Sequence, residues 1–315
     1  MELPRLQDLP VANKKVLVRA DLDFKPDKEN LRFRALIPTL DYLKEKNAKI
    51  ILLGHRGRPE GKVDESLSLK PFEKIFAQWE ATVEENLRFN PGEEANDETF
   101  AQELAAKGEA YINEAFAASH REHASIVSLP KLLPYAAGLH FNAEIENLNR
   151  VLESPKKPVI SIISGIKEDK LSYIEGFKKF SDKILIGGRL PEYVHDSSAL
   201  RTDERVIVAD LTPDKEDITM HAIETFENEI AQAGTIILFG PLGKFEDEGH
   251  RQGTERVFKA VVTANAFKVA GGGDTLTAIK LLDLESKFDW LSVGGGASLE
   301  FLAKGTLPGI AALLR

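Results

Sequence analysis

Three glycine-rich segments in the second half of the chain have a pattern that α/β proteins use to bind phosphate groups. Each follows an apolar, strand-like run and precedes a helical pattern; the segments are Gly240-Pro241-Leu242-Gly243, Gly271-Gly272-Gly273-Asp274-Thr275 and Gly294-Gly295-Gly296-Ala297-Ser298. Glycine lets the backbone turn sharply and approach a ligand, and a helix that starts there points free N–H groups and a positive dipole end at the turn. We therefore predict a polyphosphate site in the second half.

Basic residues recur directly after the apolar runs of the first half. They are Arg19, Arg32, His55, Arg56, Arg58, Arg88, His120 and Arg121. A guanidinium group binds phosphate or carboxylate oxygens in a bidentate manner, so the set is suited to anchoring a small phosphorylated acid. Any one of these arginines is more often a solvated surface charge, and only their recurrence after successive strands favours a binding site.

Strand and helix patterns alternate along the whole chain and must position these residues. Apolar runs predict strands at 16–18, 50–53, 111–112, 159–163 and 184–186, and near Val206, Ile236, Val269 and Leu291. Helical spacing of apolar residues predicts helices at 33–43, 72–79, 97–106, 142–152 and 223–230. Such alternation is typical of parallel sheets covered by helices, so we expect two α/β domains that meet in or beside the helix at 142–153.

Composition limits the function classes. A chain of 315 residues, 43% hydrophobic and 29% charged, is long enough for two cores. The net charge of −9 argues against a nucleic-acid partner, and no apolar run reaches the 18 residues that a membrane span needs. The chain has no cysteine, which excludes disulfides and thiolate metal sites and favours a cytoplasmic location. Nothing in the sequence requires more than a monomer.

In these segments the chain resembles phosphoglycerate kinase, and the resemblance runs nearly end to end. The first-half motifs are Val18-Arg19-Ala20-Asp21-Leu22-Asp23, Gly54-His55-Arg56-Gly57-Arg58-Pro59, Glu85-Asn86-Leu87-Arg88-Phe89, Asn113-Glu114-Ala115-Phe116 and His120-Arg121-Glu122-His123-Ala124-Ser125. The second-half motifs are Gly240-Pro241-Leu242-Gly243-Lys244-Phe245-Glu246, the two glycine triplets, and the ending Leu307-Pro308-Gly309-Ile310-Ala311-Ala312-Leu313. One motif is weak evidence, but this many in the family's order is specific.

The resemblance implies two Rossmann-like parallel-sheet domains, with helices on both faces, joined by a helix and a hinge. Residues 1–141 would bind 3-phosphoglycerate, residues 142–303 would form the interdomain helix and bind magnesium-nucleotide, and residues 304–315 would pack back on the first domain. The implied reaction is reversible phosphoryl transfer between 1,3-bisphosphoglycerate and ADP, giving 3-phosphoglycerate and ATP, in glycolysis.

The motif matches imply a role for particular residues. On the substrate side they are Asp21, Asp23, Arg32, His55, Arg58, Arg88 and Arg121. On the nucleotide side they are Lys167, Gly187, Gly188, Pro241, Glu246, Gly272, Gly273, Asp274, Thr275, Gly294, Gly295 and Gly296. Arg32, Lys170 and Lys167 would be catalytic, and Asp274 would carry Mg²⁺, directly or through water, or cap its helix.

The residue inventory agrees with this chemistry. A carboxylate with a pKa of about 3.5–4 is ionised at neutral pH, so transfer to or from it requires no general base. What the reaction requires is in-line positioning and positive charge around the phosphoryl group, which we assign to Arg32 and Lys170. Without the family context, Lys167 and Lys170 are equally well explained as solvated residues at a helix start.

The chain also departs from the family pattern. It lacks a strand–helix–strand stretch between Trp79 and Glu85 and is compressed between Gly188 and Asp217. On the nucleotide side the altered positions are Phe239, Thr219-Met220-His221, Val293 and Arg189. Lys167 and Lys170 are one residue closer than expected, which rotates one relative to the other by about 100° in an α-helix. On the substrate side, Asp23 replaces an asparagine and adds a negative charge.

These departures leave alternatives to an active phosphoglycerate kinase. One is a catalytically impaired homologue that binds phosphorylated metabolites or nucleotide without turnover, and another is a kinase for a different carboxylate or nucleotide. A nicotinamide-dependent dehydrogenase is disfavoured because no G-x-G-x-x-G follows a strand, and a P-loop ATPase because no G-x-x-x-x-G-K-[ST] occurs.

Overall fold

The computed structural model describes residues 2–195 and 198–314, which form two compact α/β units. The first unit takes in the chain up to Glu146 and the segment from Thr306 onward, and the second is Asn147–Gly305. The division falls inside one helix, Leu139–Glu153. This helix begins three residues before the predicted start at 142, because its first turn is capped by a buried carboxylate described below.

The first unit is built on a five-stranded parallel sheet. Its strands are β1 (Lys15–Arg19), β2 (Lys49–Leu53), β3 (Thr82–Val83), β4 (Ala110–Asn113) and β5 (Tyr135–Ala137), in the order β3-β2-β1-β4-β5. Burial of both faces explains why β1, β2 and β4 are continuous apolar runs. Strands β3 and β5, with two and three residues, are too short to give such a run, and the apolar-run criterion misses them.

Helices and short helical turns cover this sheet. The α-helices are α1 (Leu31–Glu45), α2 (Glu73–Phe76), α3 (Pro91–Glu94), α4 (Glu98–Ala105), α5 (Leu139–Glu153) and, from the end of the chain, α12 (Pro308–Leu313). A π-helical turn spans Ala124–Ser128. The 3₁₀ turns are Leu6–Asp8, Glu65–Leu67, Lys70–Phe72, Ala77–Trp79, Leu87–Phe89, Phe116–Ala118 and Leu129–Lys131. The helix predicted at 72–79 is therefore a single α turn between two 3₁₀ turns.

The second unit contains a six-stranded parallel sheet. Its strands are β6 (Val159–Ile163), β7 (Lys183–Ile186), β8 (Val206–Val208), β9 (Thr235–Phe239), β10 (Phe267–Gly271) and β11 (Trp290–Ser292), in the order β11-β10-β9-β6-β7-β8. Its α-helices are α6 (Ile174–Phe177), α7 (Ala199–Thr202), α8 (Met220–Ile230), α9 (Gln252–Thr263), α10 (Gly273–Leu281) and α11 (Gly296–Lys304), with 3₁₀ turns at Glu168–Tyr173, Leu190–Tyr193, Glu248–His250 and Glu285–Lys287.

Both sheets have the doubly wound topology, which determines where ligands can bind. In each unit the chain adds strands on one side of the first strand and then crosses to the other side, so the order reverses between β1 and β4 and between β6 and β9. Ligands of such sheets bind outside the carboxyl ends of the strands at this reversal. The predicted α/β fold with two Rossmann-like parallel sheets is confirmed. No helix in the described part of the chain combines the length and apolar character needed to cross a bilayer.

Candidate active site

In the first unit, Arg19 occupies the reversal point at the carboxyl end of β1. It lies in register with Leu53 of β2 and Asn113 of β4, so the residues that follow these strands surround it. Its guanidinium group is fully buried and makes three directed contacts: Nε donates to Ser125 Oγ (2.7 Å), Nη1 to Ala20 O (2.7 Å) and Nη2 to His55 Nδ1 (2.8 Å). Arg19 is therefore a fixed positive charge at the centre of the loops that carry the predicted substrate residues.

Further cations collect around Arg19. Arg88 is 2% exposed and donates from Nη1 to Gly57 O at 2.6 Å, while its Nε lies 3.1 Å from Glu94 Oε1. Burial, then Arg19 and Arg88, hold the pKa of His55 well below its ordinary value. Burial and the same two arginines lower the pKa of His123 to about 3. Both imidazoles are therefore neutral, and the positive charge of this cluster resides on the arginines.

Arg88 has an unused donor. Its Nη2 is buried and has no hydrogen-bond partner among the described residues. Burial, and next the charge of Arg121, lower the pKa of Arg88, which shows that the two guanidinium groups are close. A buried cationic donor without a partner is costly and marks a place where an anion can bind.

Asp21, Asp23 and Arg32 form one side-chain network after β1. Arg32 Nε lies 3.3 Å from Asp21 Oδ2, and its Nη1 donates to the carbonyl oxygen of Asp23 at 2.8 Å. The Asp23 carboxylate accepts a hydrogen bond from the N–H of Gly57 at 2.8 Å. The aspartate that replaces the expected asparagine thus has a structural partner in the loop after β2.

The predicted substrate residues do not all lie at the same depth. Asp21, His55 and Arg88 are buried, Arg32 and Arg121 are half-buried, and Arg58 is exposed in the turn after β2. The structure thus brings Arg88, Arg121 and His55 together around Arg19, and it connects Arg32 to Asp21. Arg58 has the outward placement of an ordinary surface arginine.

In the second unit, the glycine turns lie at the carboxyl ends of β9, β10 and β11, as predicted. Gly272 (φ 100°) and Gly295 (φ 57°) have positive φ and directly precede α10 and α11. A side chain at Gly273, Gly295 or Gly296 would meet no atom within 4 Å, so the space over these backbones is open. Two helix N-termini with free N–H groups therefore border an open, glycine-lined surface.

The other turns pack tightly against one another. A side chain on Gly240 would lie 2.0 Å from Ser164 O, and one on Gly188 would lie 2.5 Å from Gly165 N. Ser164 Oγ donates to Pro241 O at 2.5 Å, and the buried Thr275 Oγ1 accepts from Gly240 N at 2.8 Å. These glycines are needed for close backbone approach. The neighbouring Gly187 is close-packed too, since a side chain there would meet Leu242 at 2.4 Å.

Lys170 and Asp274 are two charged residues near the turns of the second unit, and they influence each other electrostatically. Lys170 Nζ donates to Ser164 O at 2.5 Å, directly beneath Gly165. Burial lowers the pKa of Lys170 to about 8, against the opposing attraction of Asp274 and Asp169. Asp274 is exposed in the first turn of α10, and Lys167 is exposed at the start of the 3₁₀ turn that carries Lys170. That turn is 3₁₀ rather than α-helical and Lys167 precedes it in extended conformation, so the rotation of about 100°, which assumes an α-helix, does not apply.

Three of the altered positions in the second unit, Phe239, Arg189 and Thr219, have structural partners. The Phe239 side chain is 2% exposed, and its ring contacts Gly271, where a side chain would lie 2.6 Å from it. Arg189 pairs with Glu192 at 2.6 Å. Thr219 caps α8 by accepting from Ala222 N, while Met220, His221 and Glu246 are exposed. Val293 is half-buried after β11.

The charged groups of the second unit suit a magnesium-nucleotide. The described residues contain no group of three or more histidine, aspartate or glutamate side chains that could hold a metal ion. Mg²⁺ prefers one or two carboxylates together with phosphate oxygens and water. The exposed Asp274 beside an open glycine turn supplies one such carboxylate, so the residues fit an ion that arrives with its nucleotide.

The sequence patterns assign no role to three residues of the first-unit site, which are Arg19, Glu93 and Ser125. Glu93 is fully buried and accepts from Ser125 Oγ at 2.6 Å and from Ser125 N at 3.0 Å. A charged residue inside an otherwise apolar strand, as in Val16-Leu17-Val18-Arg19, is the signal that marks Arg19. No local pattern pairs Glu93 with Ser125, which lies 32 residues further along the chain.

Together, these features describe a class of protein: an α/β protein with candidate anion-binding loops in each of two doubly wound units. The family model for phosphoglycerate kinase matches residues 6–84, 76–213 and 190–305. A phosphoglycerate kinase of Moorella thermoacetica is 32% identical over 385 aligned positions, covering 98% of each chain. The solved phosphoglycerate kinase structure from Coxiella burnetii superposes with a TM-score of 0.84 at 27% identity, covering 99% of each chain. This chain belongs to the phosphoglycerate kinase family.

The comparisons also show that it is a shortened member. The alignment with a phosphoglycerate kinase of Coprothermobacter proteolyticus runs over 390 positions, covers all of this chain and covers 99% of the relative. Because this chain has only 315 residues, the remaining positions face internal gaps in it. The chain is therefore shorter than this relative, as predicted, and each unit still contains a parallel sheet, of five and six strands.

Proposed function

We infer that the protein is a phosphoglycerate kinase, a phosphotransferase that acts on a carboxyl group. It transfers a phosphoryl group reversibly between 1,3-bisphosphoglycerate and ADP, giving 3-phosphoglycerate and ATP in glycolysis. The observation that carries this conclusion in the fold is the arginine cluster around Arg19 in the first unit, which includes the unpaired donor of Arg88. A small acid with a phosphate and a carboxylate supplies the anions that this cluster lacks.

The first unit is proposed to bind 3-phosphoglycerate. Its ligands are Arg88, Arg121 and His55, with Arg58 reaching the ligand from the exposed turn. Asp21 and Asp23 hold Arg32 in place, as the 3.3 Å and 2.8 Å contacts indicate. The high density of positive charge makes binding of a trianionic substrate favourable although the whole chain carries a net charge of −9.

The second unit is proposed to bind magnesium-ADP or magnesium-ATP. The turns at Gly272, Gly273 and at 294–296, which are open over Gly273, Gly295 and Gly296, would hold the phosphates through backbone N–H groups, with Lys167 as a further cation. Asp274 would carry the magnesium ion. Gly187, Gly188, Pro241 and Glu246 would border the nucleoside, and Thr275 supports the turn at Gly240.

Arg32 and Lys170 are the proposed catalytic cations, with Lys167 assisting. The acceptor carboxylate is already ionised, so catalysis depends on positioning and on neutralising charge at the transferred phosphoryl group. When bound, Mg²⁺ supplies additional positive charge on the nucleotide phosphates. The enzyme is further proposed to act as a monomer in the cytoplasm, where its phosphorylated substrates are found; light scattering and cell fractionation test both points.

The decisive test is a coupled assay with 3-phosphoglycerate and Mg-ATP. Turnover is expected, with kcat falling about a hundredfold or more in Arg32→Ala and in Lys170→Ala. The matched controls are Arg34→Ala, two residues further along α1 and paired with Glu29, and Lys179→Ala, which is exposed after α6. Both controls should keep wild-type activity.

Saturable binding of both ligands without turnover would instead identify an impaired homologue. In that case Phe239, whose buried ring packs against Gly271, is the residue to substitute, because it differs from the family pattern on the nucleotide side.

A further inference from the structure

A continuous chain of hydrogen bonds connects a buried carboxylate on α3 to the imidazole after β2. Arg19 Nε–H donates to Ser125 Oγ at 2.7 Å, and Ser125 Oγ lies 2.6 Å from Glu93 Oε1. Arginine can only donate, so Ser125 accepts from Arg19 and its own hydroxyl proton must point to Glu93. The direction of each hydrogen bond in this chain is therefore fixed by chemistry.

The same reasoning fixes the tautomer of His55. Arg19 Nη2 lies 2.8 Å from His55 Nδ1, and because Arg19 can only donate, Nδ1 must be the unprotonated acceptor. A neutral imidazole then carries its proton on Nε2. Nε2 has no partner among the described residues and is not among their fully buried unpaired atoms, so it reaches solvent.

We propose that His55 binds the acidic substrate as a neutral imidazole that donates from Nε2, and that Glu93, Ser125 and Arg19 are the positioning residues that impose this tautomer. The proposal rests on the proposed function, because it assigns the donor to the substrate carboxylate or phosphate. It adds to that function a uniquely oriented, uncharged donor among the arginines.

The surrounding charges keep His55 in this state. The groups that face it are Arg19, Arg88, Arg121 and His123, and burial acts in the same direction as these cations to lower its pKa. Glu93 is an acid of this cluster, and its Oε1 lies 3.6 Å from Arg19 Nη2 and 3.7 Å from His123 Nδ1. Glu93 compensates the buried charge of Arg19, so Arg19 stays in place as a donor to His55.

Ser125 offers a substitution that breaks the chain without changing any charge. Ser125→Ala removes both the acceptor for Arg19 and the donor to Glu93. The matched control is Ser128→Ala: Ser128 lies three residues on in the same π-helical turn, is 6% exposed, and bonds Asn96 Oδ1 at 2.9 Å instead.

The experiment is long-range ¹H–¹⁵N NMR of the histidine side chains. The signals of His55 are assigned as those that disappear from the spectrum of His55→Gln. In the wild type and in Ser128→Ala, His55 should keep an unprotonated Nδ1 and should not titrate between pH 5.5 and 8. In Ser125→Ala, the Nε2-H signature should be mixed with the other tautomer, and KM for 3-phosphoglycerate should rise about five- to tenfold with a smaller change in kcat. Ser125→Thr, which restores the hydroxyl, should restore the wild-type signature.

The outcomes separate this proposal from the proposed function. The proposal is wrong if His55 of the wild type is protonated on Nδ1 or titrates near its ordinary pKa, even if turnover is normal. This measurement uses the wild-type protein only, so it does not depend on the folding of a variant. Unchanged tautomer and KM in a folded Ser125→Ala overturn it as well. Absence of turnover in a wild-type protein with the expected tautomer would contradict the enzymatic function and leave the tautomer assignment standing.

Discussion

At the scale of single residues, burial separates candidate site residues that are alike in type. Lys167 and Lys170 are the same residue type three positions apart, yet only Lys170 lies under the turn at Gly165 and contacts a backbone carbonyl. Likewise, Arg88 is buried with an unused donor while Arg58 is exposed. The sequence predicts all four as site residues, and the structure shows that they differ in burial and in their contacts.

The pKa of Lys170 gives a prediction at this scale. Because that pKa is about 8, the ammonium group is charged below pH 8 and loses its proton above it. We expect kcat/KM for Mg-ATP to fall as the pH rises through about 8, since the lost charge no longer stabilises the phosphoryl group. The fall should disappear in Lys170→Arg, whose guanidinium stays charged, and persist in the control Lys167→Arg.

The contribution of Lys170 to stability should rise over the alkaline range, in which kcat/KM is expected to fall. The unfolded chain keeps the Lys170 proton up to its ordinary pKa, while the folded chain releases it near pH 8. The unfolded state therefore binds more protons between these values, and the contribution of Lys170 to the free energy of unfolding rises with pH. An activity profile with no alkaline fall in the wild type would contradict the lowered pKa.

At the scale of elements, Glu114 at the end of β4 determines where α5 begins. Its carboxylate accepts from Thr39 Oγ1 at 2.5 Å and from the N–H groups of His140 and Phe141 at 3.0 and 2.8 Å. A side chain on Gly138 would lie 2.2 Å from this carboxylate, so only glycine fits before the helix. Glu114 thus satisfies two free donors of the first turn. Burial raises the pKa of this carboxyl, while His140 and the hydrogen bonds from Thr39 and the helix N–H groups act against that rise.

Glu114→Gln should destabilise the fold by about 1–3 kcal/mol, because the amide N–H₂ would face the donor of Phe141. Urea unfolding measures the loss. Glu146→Gln, an exposed change on the same helix, should cost less than about 0.5 kcal/mol. Equal stability of the two variants would show that Glu114 does not cap α5.

At the scale of the whole molecule, the two units present different groups at their candidate anion sites. The first unit presents side-chain guanidinium groups, and the second presents backbone N–H groups at open glycine turns. Guanidinium groups suit a small acid bound by its carboxylate and phosphate, whereas two helix N-termini suit a polyphosphate. The two units should therefore respond to different ligands.

Hydrogen–deuterium exchange can test this division. 3-Phosphoglycerate should slow exchange at 54–58, 86–89 and 119–125, while Mg-ADP should slow it at 164–170, 271–275 and 293–297, because bound anions order these loops. Inorganic phosphate at the same ionic strength serves as the control. Protection by 3-phosphoglycerate confined to the second unit would refute the proposed assignment of ligands.

The sequence predicts most of the fold because the elements that matter have strong local signals. The strands β1, β2, β4 and β6 are apolar runs whose burial is a property of parallel sheets. The glycine turns can also be predicted from the sequence, because a positive φ, as at Gly272 and Gly295, is a local backbone conformation that favours glycine. The short strands β3 and β5 are defined by their hydrogen bonds to neighbouring strands, so no local sequence pattern predicts them.

By itself, the sequence determined the α/β class, the glycine turns, the set of basic residues and the family, because each depends on residue type and order along the chain. The tertiary structure alone decided which of those residues act together. Glu93, Ser125, Arg19 and His55 come from four separate segments, and only the close approach of the loops after parallel strands makes them one hydrogen-bonded chain. The burial of these side chains and the direction of their hydrogen bonds depend on that arrangement, so both exist only in the folded chain.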